Sequence, residues 1–202
     1  MIRKKTYFFS ILAFALTLTA CFGGGNVEPT RYYTLATENI SMPTASANFS
    51  SKKVFVKKFS IDPAYQRTNI VYRESPYDFM FYELDLWASR PEQIVTRVAA
   101  EYLEQSHFFK AVTTGNGEIP EYEFSGHIEV LEEVDEGSSQ FAHLVLKLTF
   151  KDAQKNTTLW ENRYDKKKST DSREPRVTAE ALSKLLADCM TDALQSIAQI
   201  SE

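Results

Sequence analysis

The sequence predicts one α+β domain over residues 31–202, an antiparallel or mixed sheet covered by two amphipathic helices. Three observations predict it. Two consecutive segments, Glu121 to Leu131 and Gln140 to Lys151, alternate apolar with polar residues, the period of a half-buried strand. Two others, Ile94 to Leu103 and Leu182 to Ile200, repeat their apolar residues at helical spacing. Turn signals separate the strand-like segments, as in an antiparallel meander with one wet face and one face that needs cover.

The elements follow in order. Arg31-Tyr32-Tyr33-Thr34-Leu35 is short and β-prone, and residues 36–52, rich in Ser, Thr, Ala and Asn, form a loop. Lys53 to Phe59 is a strand around Val54, Phe55 and Val56. Asn69 to Arg73 is another, broken by Ser75-Pro76. Asp78 to Leu84 is a third, with Phe79-Met80-Phe81-Tyr82. Ser89-Arg90-Pro91-Glu92 then opens a helix, with Ser89 as cap and Glu92 closing a capping box. Its apolar face is Ile94, Val95, Val98, Ala99, Tyr102 and Leu103, and Phe108 and Phe109 end it. Ala111-Val112 starts a short strand. In the meander, Tyr122, Phe124, Gly126, Ile128 and Val130 share one face. Asp135 to Ser139 turns the chain, and Ala142, Leu144, Leu146, Leu148 and Phe150 form the next apolar face. Thr157 to Lys166 returns around Trp160 and Tyr164. After Pro175 the last helix carries Leu182, Leu185, Leu186, Cys189, Ala193, Ile197 and Ile200 on one stripe, uninterrupted by Gly or Pro.

The first residues carry a different signal. Arg3, Lys4 and Lys5 precede an apolar run from Tyr7 to Leu18, too short to span a bilayer and placed like the core of a secretory leader. Leu18-Thr19-Ala20-Cys21 has the form of a bacterial lipobox, in which the chain is cut before a cysteine whose thiol takes a diacylglycerol. The expectation is a leader over residues 1–20, lipidation at Cys21 and a flexible tether over residues 21–30 containing Gly23, Gly24 and Gly25. Each buried CH2 contributes about 0.8 kcal/mol, so several acyl chains anchor stably where one is marginal. Residue 22 is Phe rather than Asp, the enteric inner-membrane signal. This sorts the protein to the periplasmic face of the outer membrane, with the inner membrane as the alternative.

Composition excludes several functions. Of 23 basic side chains the leader removes Arg3, Lys4 and Lys5, leaving 20 against 27 acidic, a mature net charge of −7. No nucleic-acid partner is expected from such a chain, because phosphate neutralisation needs clustered Lys and Arg. Two cysteines rule out a disulfide scaffold. No P-loop, dinucleotide fingerprint or nucleophile elbow is present, so no catalytic residues and no cofactor are assigned. His127 and His143 fall on the polar face of the expected hairpin near Glu129 and Lys147. With His107 they lack ligand spacing, and no metal site is assigned. Lys52-Lys53, Lys57-Lys58 and Lys166 to Lys168 read as solvated strand ends, and Cys189 as a buried small hydrophobe.

Four pieces recur in this order: Tyr32-Tyr33-Thr34-Leu35 soon after the cysteine, Ile70-Val71-Tyr72-Arg73, Trp87-Ala88-Ser89-Arg90-Pro91 at the first helix, and Phe109-Lys110-Ala111-Val112. Together with the lipobox they resemble the ABC-type transport auxiliary lipoproteins, also called PqiC-type lipoproteins, over about residues 31 to 200. The resemblance implies a non-catalytic partner of a Mce-domain protein in an ABC system that moves lipids between inner and outer membranes. The membrane is reached through the lipid anchor, and a homo-oligomer is left open. The alternative is a structural envelope lipoprotein of a secretion or cell-wall assembly. Tyr32, Tyr33 and Trp87 can then be core residues or interface anchors, with core the favoured place for Trp87.

Overall fold

The computed structural model describes residues 28–39, 49–115 and 120–200, so the leader, Cys21 and the glycine tether lie outside the described residues. Its elements are β1 (Arg31–Tyr33), β2 (Lys53–Val56), β3 (Ser60–Ile61), a 3-10 turn (Pro63–Tyr65), β4 (Asn69–Arg73), β5 (Met80–Trp87), α1 (Pro91–Ser106), β6 (Ala111–Thr113), β7 (Tyr122–Glu136), β8 (Ser139–Asp152), β9 (Thr157–Thr170) and α2 (Pro175–Ala198). The nine described strands form one mixed sheet with both helices on one face, the α+β architecture expected.

Strand β7 organises the sheet. One of its edges pairs antiparallel with β8 along its whole length, and β8 pairs antiparallel with β9. Its other edge is shared end to end by three short parallel strands: β2 against Val54↔Tyr122, β3 against Ile61↔Ile128 and β4 against Arg73↔Val134. Beyond them β6 adds to β2, β5 to β4, and β1 to β5. The expected strand from Lys53 to Phe59 is therefore two pieces, β2 and β3, separated where the chain steps along β7. Helix α1 carries the chain from β5 across the sheet to β6, which runs antiparallel to β5.

Two backbone features set which side chains face inward. A bulge between Ile128 and Val130 inserts an extra residue into β7. Before it Tyr122, Phe124, Gly126 and Ile128 face the helices, as expected. After it the inward set is Leu131, Glu133 and Asp135, so Val130, assigned inward by alternation, turns to the outer face. At the hairpin tip the turn is only Gly137 and Ser138, because Glu136 already pairs with Ser139. Gly137 has φ +67, a conformation glycine adopts without steric cost.

The core lies between the sheet and the helices. Helix α2 buries Leu182, Leu185, Leu186, Cys189, Ala193 and Ile197, and α1 buries Ile94, Val95, Val98, Ala99, Tyr102 and Leu103. Phe49 joins Tyr122 and Phe150 edge to face at ring distances of 5.1 and 5.6 Å, arrangements aromatic pairs prefer. The capping box does not form. Pro91 takes the first helical position and holds Arg90, in extended conformation, as the cap. Glu92 is buried instead beside Lys58 at 3.5 Å and Arg90 at 4.0 Å. Helix α1 ends at Ser106, where His107 adopts a left-handed φ of 55°. Phe108 and Phe109 follow it as core residues.

Candidate interaction surface

The family-like pieces divide between core and surface. Along Tyr32 to Leu35 the side chains alternate. Leu35 is buried, Tyr33 donates to Asp85 at 2.9 Å, and Tyr32 is 66% exposed. Arg31 grips Asp85 with two bonds, 2.8 and 3.1 Å, which fixes β1 on β5. The chain then lies across both helices. Arg97 donates to the Leu35 carbonyl at 2.9 Å, Ala36 N–H to Ser183 Oγ at 3.1 Å, and Glu38 N–H to Tyr102 at 2.7 Å. Trp87, Ile70 and Phe109 are buried in the core, so Tyr32 is the exposed aromatic among these pieces.

The other residues singled out in sequence find ordinary roles. His127 lies opposite Lys147 and bonds Ser60 Oγ at 2.8 Å, while His143 lies opposite Glu132. The two histidines stand four residues apart along the hairpin. Among the described residues no group of His, Cys, Asp and Glu could hold a metal ion. Lys57, Lys58, Lys166 and Lys167 reach Glu123, Glu92, Asp192 and Glu136. Burial pushes the Cys189 thiol up to about 12, far from reactive. No helix among the described residues is long and apolar enough to cross a membrane.

The outer face of the sheet holds a second, smaller nucleus that local spacing did not reveal. Tyr65, Val71 and Val145 are buried but separate from the main core. Beside them Glu132, turned outward by the bulge, is almost fully buried. It accepts from Tyr65 Oη at 2.5 Å and Arg73 Nε at 2.7 Å, and His143 Nδ1 lies 3.6 Å away. His143 Nε2 meets Asp165 at 2.9 Å. Glu132 and His143 line a groove of about 480 Å³, together with Arg73, Pro76, Val130, Val134 and Lys167. The β4–β5 turn presents Tyr77, 95% exposed, and β5 presents Phe81, 44% exposed. Arg67 stacks over Phe81 at 4.8 Å and Arg73 over Phe79 at 5.0 Å, so these two rings are held by cations. The sequence did carry one sign of this region. Val130-Leu131 sits between acidic residues on both sides, a break in strict alternation.

The network is a pH-dependent clasp. The Glu132 carboxylate 3.6 Å away raises the His143 pKa above its ordinary value, against burial and with help from the hydrogen bond to Asp165. For Glu132 burial opposes charge, but the nearby His143 and the bonds from Tyr65 and Arg73 outweigh it and hold the carboxyl below its ordinary range. His143 therefore contributes stability in full below about pH 6.5, and loses it as pH rises through the raised folded value. Glu132 contributes above its ordinary range and loses that contribution in acid. We expect denaturant midpoints measured from pH 5.5 to 8.5 to fall more steeply for the native protein than for His143→Asn. Equal slopes would show that the clasp is not coupled to folding.

Known proteins place the fold. The chain matches the family described as ABC-type transport auxiliary lipoprotein component over residues 33–193. No curated protein sequence matches it. Among solved structures it is similar to XCC0632 from Xanthomonas campestris, a protein of the DUF330 family, with TM-score 0.70 and 16% identity, covering 83% of this chain and 95% of that one. It is also similar to an uncharacterized protein, with TM-score 0.63 and 13% identity, covering 85% and 98%. At such identities these likenesses establish the fold. The family match runs from Tyr33, the last residue of β1, through β2 to β9 and α1 to Ala193 in α2. The chain belongs to the ABC-type transport auxiliary lipoprotein family.

Proposed function

We propose that this protein is a lipid-anchored, non-catalytic accessory of an ABC transporter that moves lipids between the inner and outer membranes, and that it docks on the transporter's Mce-domain protein. The observation that carries the reading is the family match over nearly the whole folded domain, a family defined by an auxiliary role in ABC-type transport. The chemistry of the chain agrees with it. The aromatics Tyr32 on β1, Tyr77 on the β4–β5 turn and Phe81 on β5 are exposed, as interface anchors would be.

The anchor is Cys21, following a leader over residues 1–20, and the outer membrane is its destination. Arg31 is the tenth residue after Cys21, so the domain is held within about 35 Å of the bilayer. Cys21→Ser should abolish palmitate labelling and leave the precursor uncut. Label retained on the Ser variant would remove the anchor. Fractionation of the native protein on a density gradient decides the membrane.

The function is tested by deletion and capture. Loss of the protein should sensitise cells to detergent, and the lipidated form should restore resistance while a soluble form lacking Cys21 restores little. Capture of the tagged protein from detergent-solubilised membranes should recover a Mce-domain protein. Recovery of secretin or peptidoglycan-binding components in its place would favour a structural envelope lipoprotein.

A further inference from the structure

Strand β9 ends the sheet with 14 residues, pairs only with β8, and carries no strand on its far edge among the described residues. A long free edge is a template for another strand. Eleven of its pairings run without a break, from Phe150↔Trp160 to Gln140↔Thr170. Its side chains sort cleanly by face. Tyr164, opposite Leu146, faces the helices with Trp160, Asn162, Lys166 and Lys168. Glu161, Arg163, Asp165 and Lys167 stand on the outer face, held there by Lys147, Glu129, His143 and Glu136.

The order of those outer charges is self-complementary. We propose that β9 pairs antiparallel with β9 of a second copy about a two-fold axis at Tyr164, joining two sheets into one. In that register Glu161 lies opposite the second copy's Lys167 and Arg163 opposite its Asp165, and each pair occurs twice. On the inner face Trp160 lies opposite Lys168 and Asn162 opposite Lys166, so no like charges meet. Opposite-charge pairs directly across a strand pair are stabilising and like-charge pairs destabilising. Neighbouring registers fail on this count. An axis at Arg163 sets that residue against itself and Glu161 against Asp165. An axis at Asp165 sets that residue against itself and Arg163 against Lys167. Axes between residues place an outer side chain opposite an inner one, which the pleat forbids. Lys147 and His143 of β8 and Glu129 and Glu136 of β7 already hold these charges on the outer face, and pairing sets a second opposite charge beside each across the seam.

The two-fold axis gives a test that folding effects cannot imitate. Two full-length copies with different affinity tags are co-expressed, and one is captured from detergent-solubilised membranes. The native pair should co-purify. Glu161→Lys in both copies puts Lys against Lys167 twice, and Lys167→Glu in both copies puts Glu against Glu161 twice. Each should lower recovery of the second tag by roughly tenfold or more. One copy with Glu161→Lys and the other with Lys167→Glu restores both pairs and should return recovery to the native level. Should either variant fail to accumulate folded, Arg163→Asp and Asp165→Arg obey the same arithmetic and replace them. Absence of native co-purification overturns the proposal. So does recovery insensitive to the charge changes, which indicates another interface, or a mixed pair no better than the matched ones. None of these outcomes depends on transport, so the result stands apart from the functional reading.

Discussion

Leu186→Asp should unfold the protein at neutral pH. Leu186 is fully buried near the middle of α2, flanked along the inward stripe by Leu182, Cys189 and Met190, with β8 and β9 beneath. The substitution removes a large apolar side chain and places a carboxylate where no cation or donor waits. Truncation of a buried leucine alone costs 2–5 kcal/mol, and an unpaired buried charge adds to it, so the total is about 5 kcal/mol or more. Domains have about 5–15 kcal/mol in all. Leu186→Ala should give an intermediate loss of about 3 kcal/mol. Lys184→Asp, two residues away on the exposed stripe, should change stability by about 0.5 kcal/mol or less. Denaturant melts of the three variants check the series. A Leu186→Asp protein that melts within a degree or two of native would mean that this face of α2 is open to solvent, contrary to the packing described.

That outcome is foreseeable because the stripe of α2 is a local property of the sequence. So is the inner face of β8, where Ala142, Leu144, Leu146, Leu148 and Phe150 are all buried as alternation requires. What local reading misses depends on another strand or another residue type. The bulge at Ile128/Val130 is a mismatch in count between β7 and β8, and neither strand alone records it. Once the phase shifts, Glu132 and Glu133 are both buried, on opposite faces. Glu132 meets Arg73 and His143, and Glu133 meets Thr178 at 2.5 Å and Tyr82 at 3.0 Å. Burial raises the Glu133 pKa despite those two bonds, so an acid that reads as solvated is a buried clasp between β7 and the start of α2. The candidate surface escaped notice for the same reason. Tyr65, Arg73, Glu132, His143 and Asp165 come from five places in the chain, and only the end-to-end docking of β3 and β4 on β7 collects them. At α1 two local signals competed, and proline at the first helical position prevailed over the Ser89 to Glu92 box, because ring geometry is fixed while a cap bond has alternatives.

Gly126→Val should be the most damaging change on the sheet itself. Gly126 lies mid-strand in β7 on the inward face, opposite Leu148, where a glycine ordinarily weakens a strand. Here it makes room. A Cβ at this position would stand 2.4 Å from Cε2 and 2.6 Å from Cδ2 of Phe59. The ring cannot swing away. Phe59 is 2% exposed, and its backbone N–H is tied to Thr96 Oγ1 of α1 at 2.9 Å. Its neighbour Phe124 lies 6.3 Å away, centroid to centroid. The strain must therefore pass into the step between β2 and β3 and its bond to α1, and overpacking of this kind costs about 3 kcal/mol. For a domain of this size that lowers Tm by roughly 10 °C. The cause is a single contact, so it has a specific remedy. Phe59→Leu shortens the offending side chain, and the double variant Gly126→Val, Phe59→Leu should melt above Gly126→Val alone. Contacting residues show coupling of 0.5–3 kcal/mol in such cycles, here of the rescuing sign. If the two losses simply add, or if Gly126→Val melts like the native protein, the close approach of Phe59 is not what requires glycine at this position.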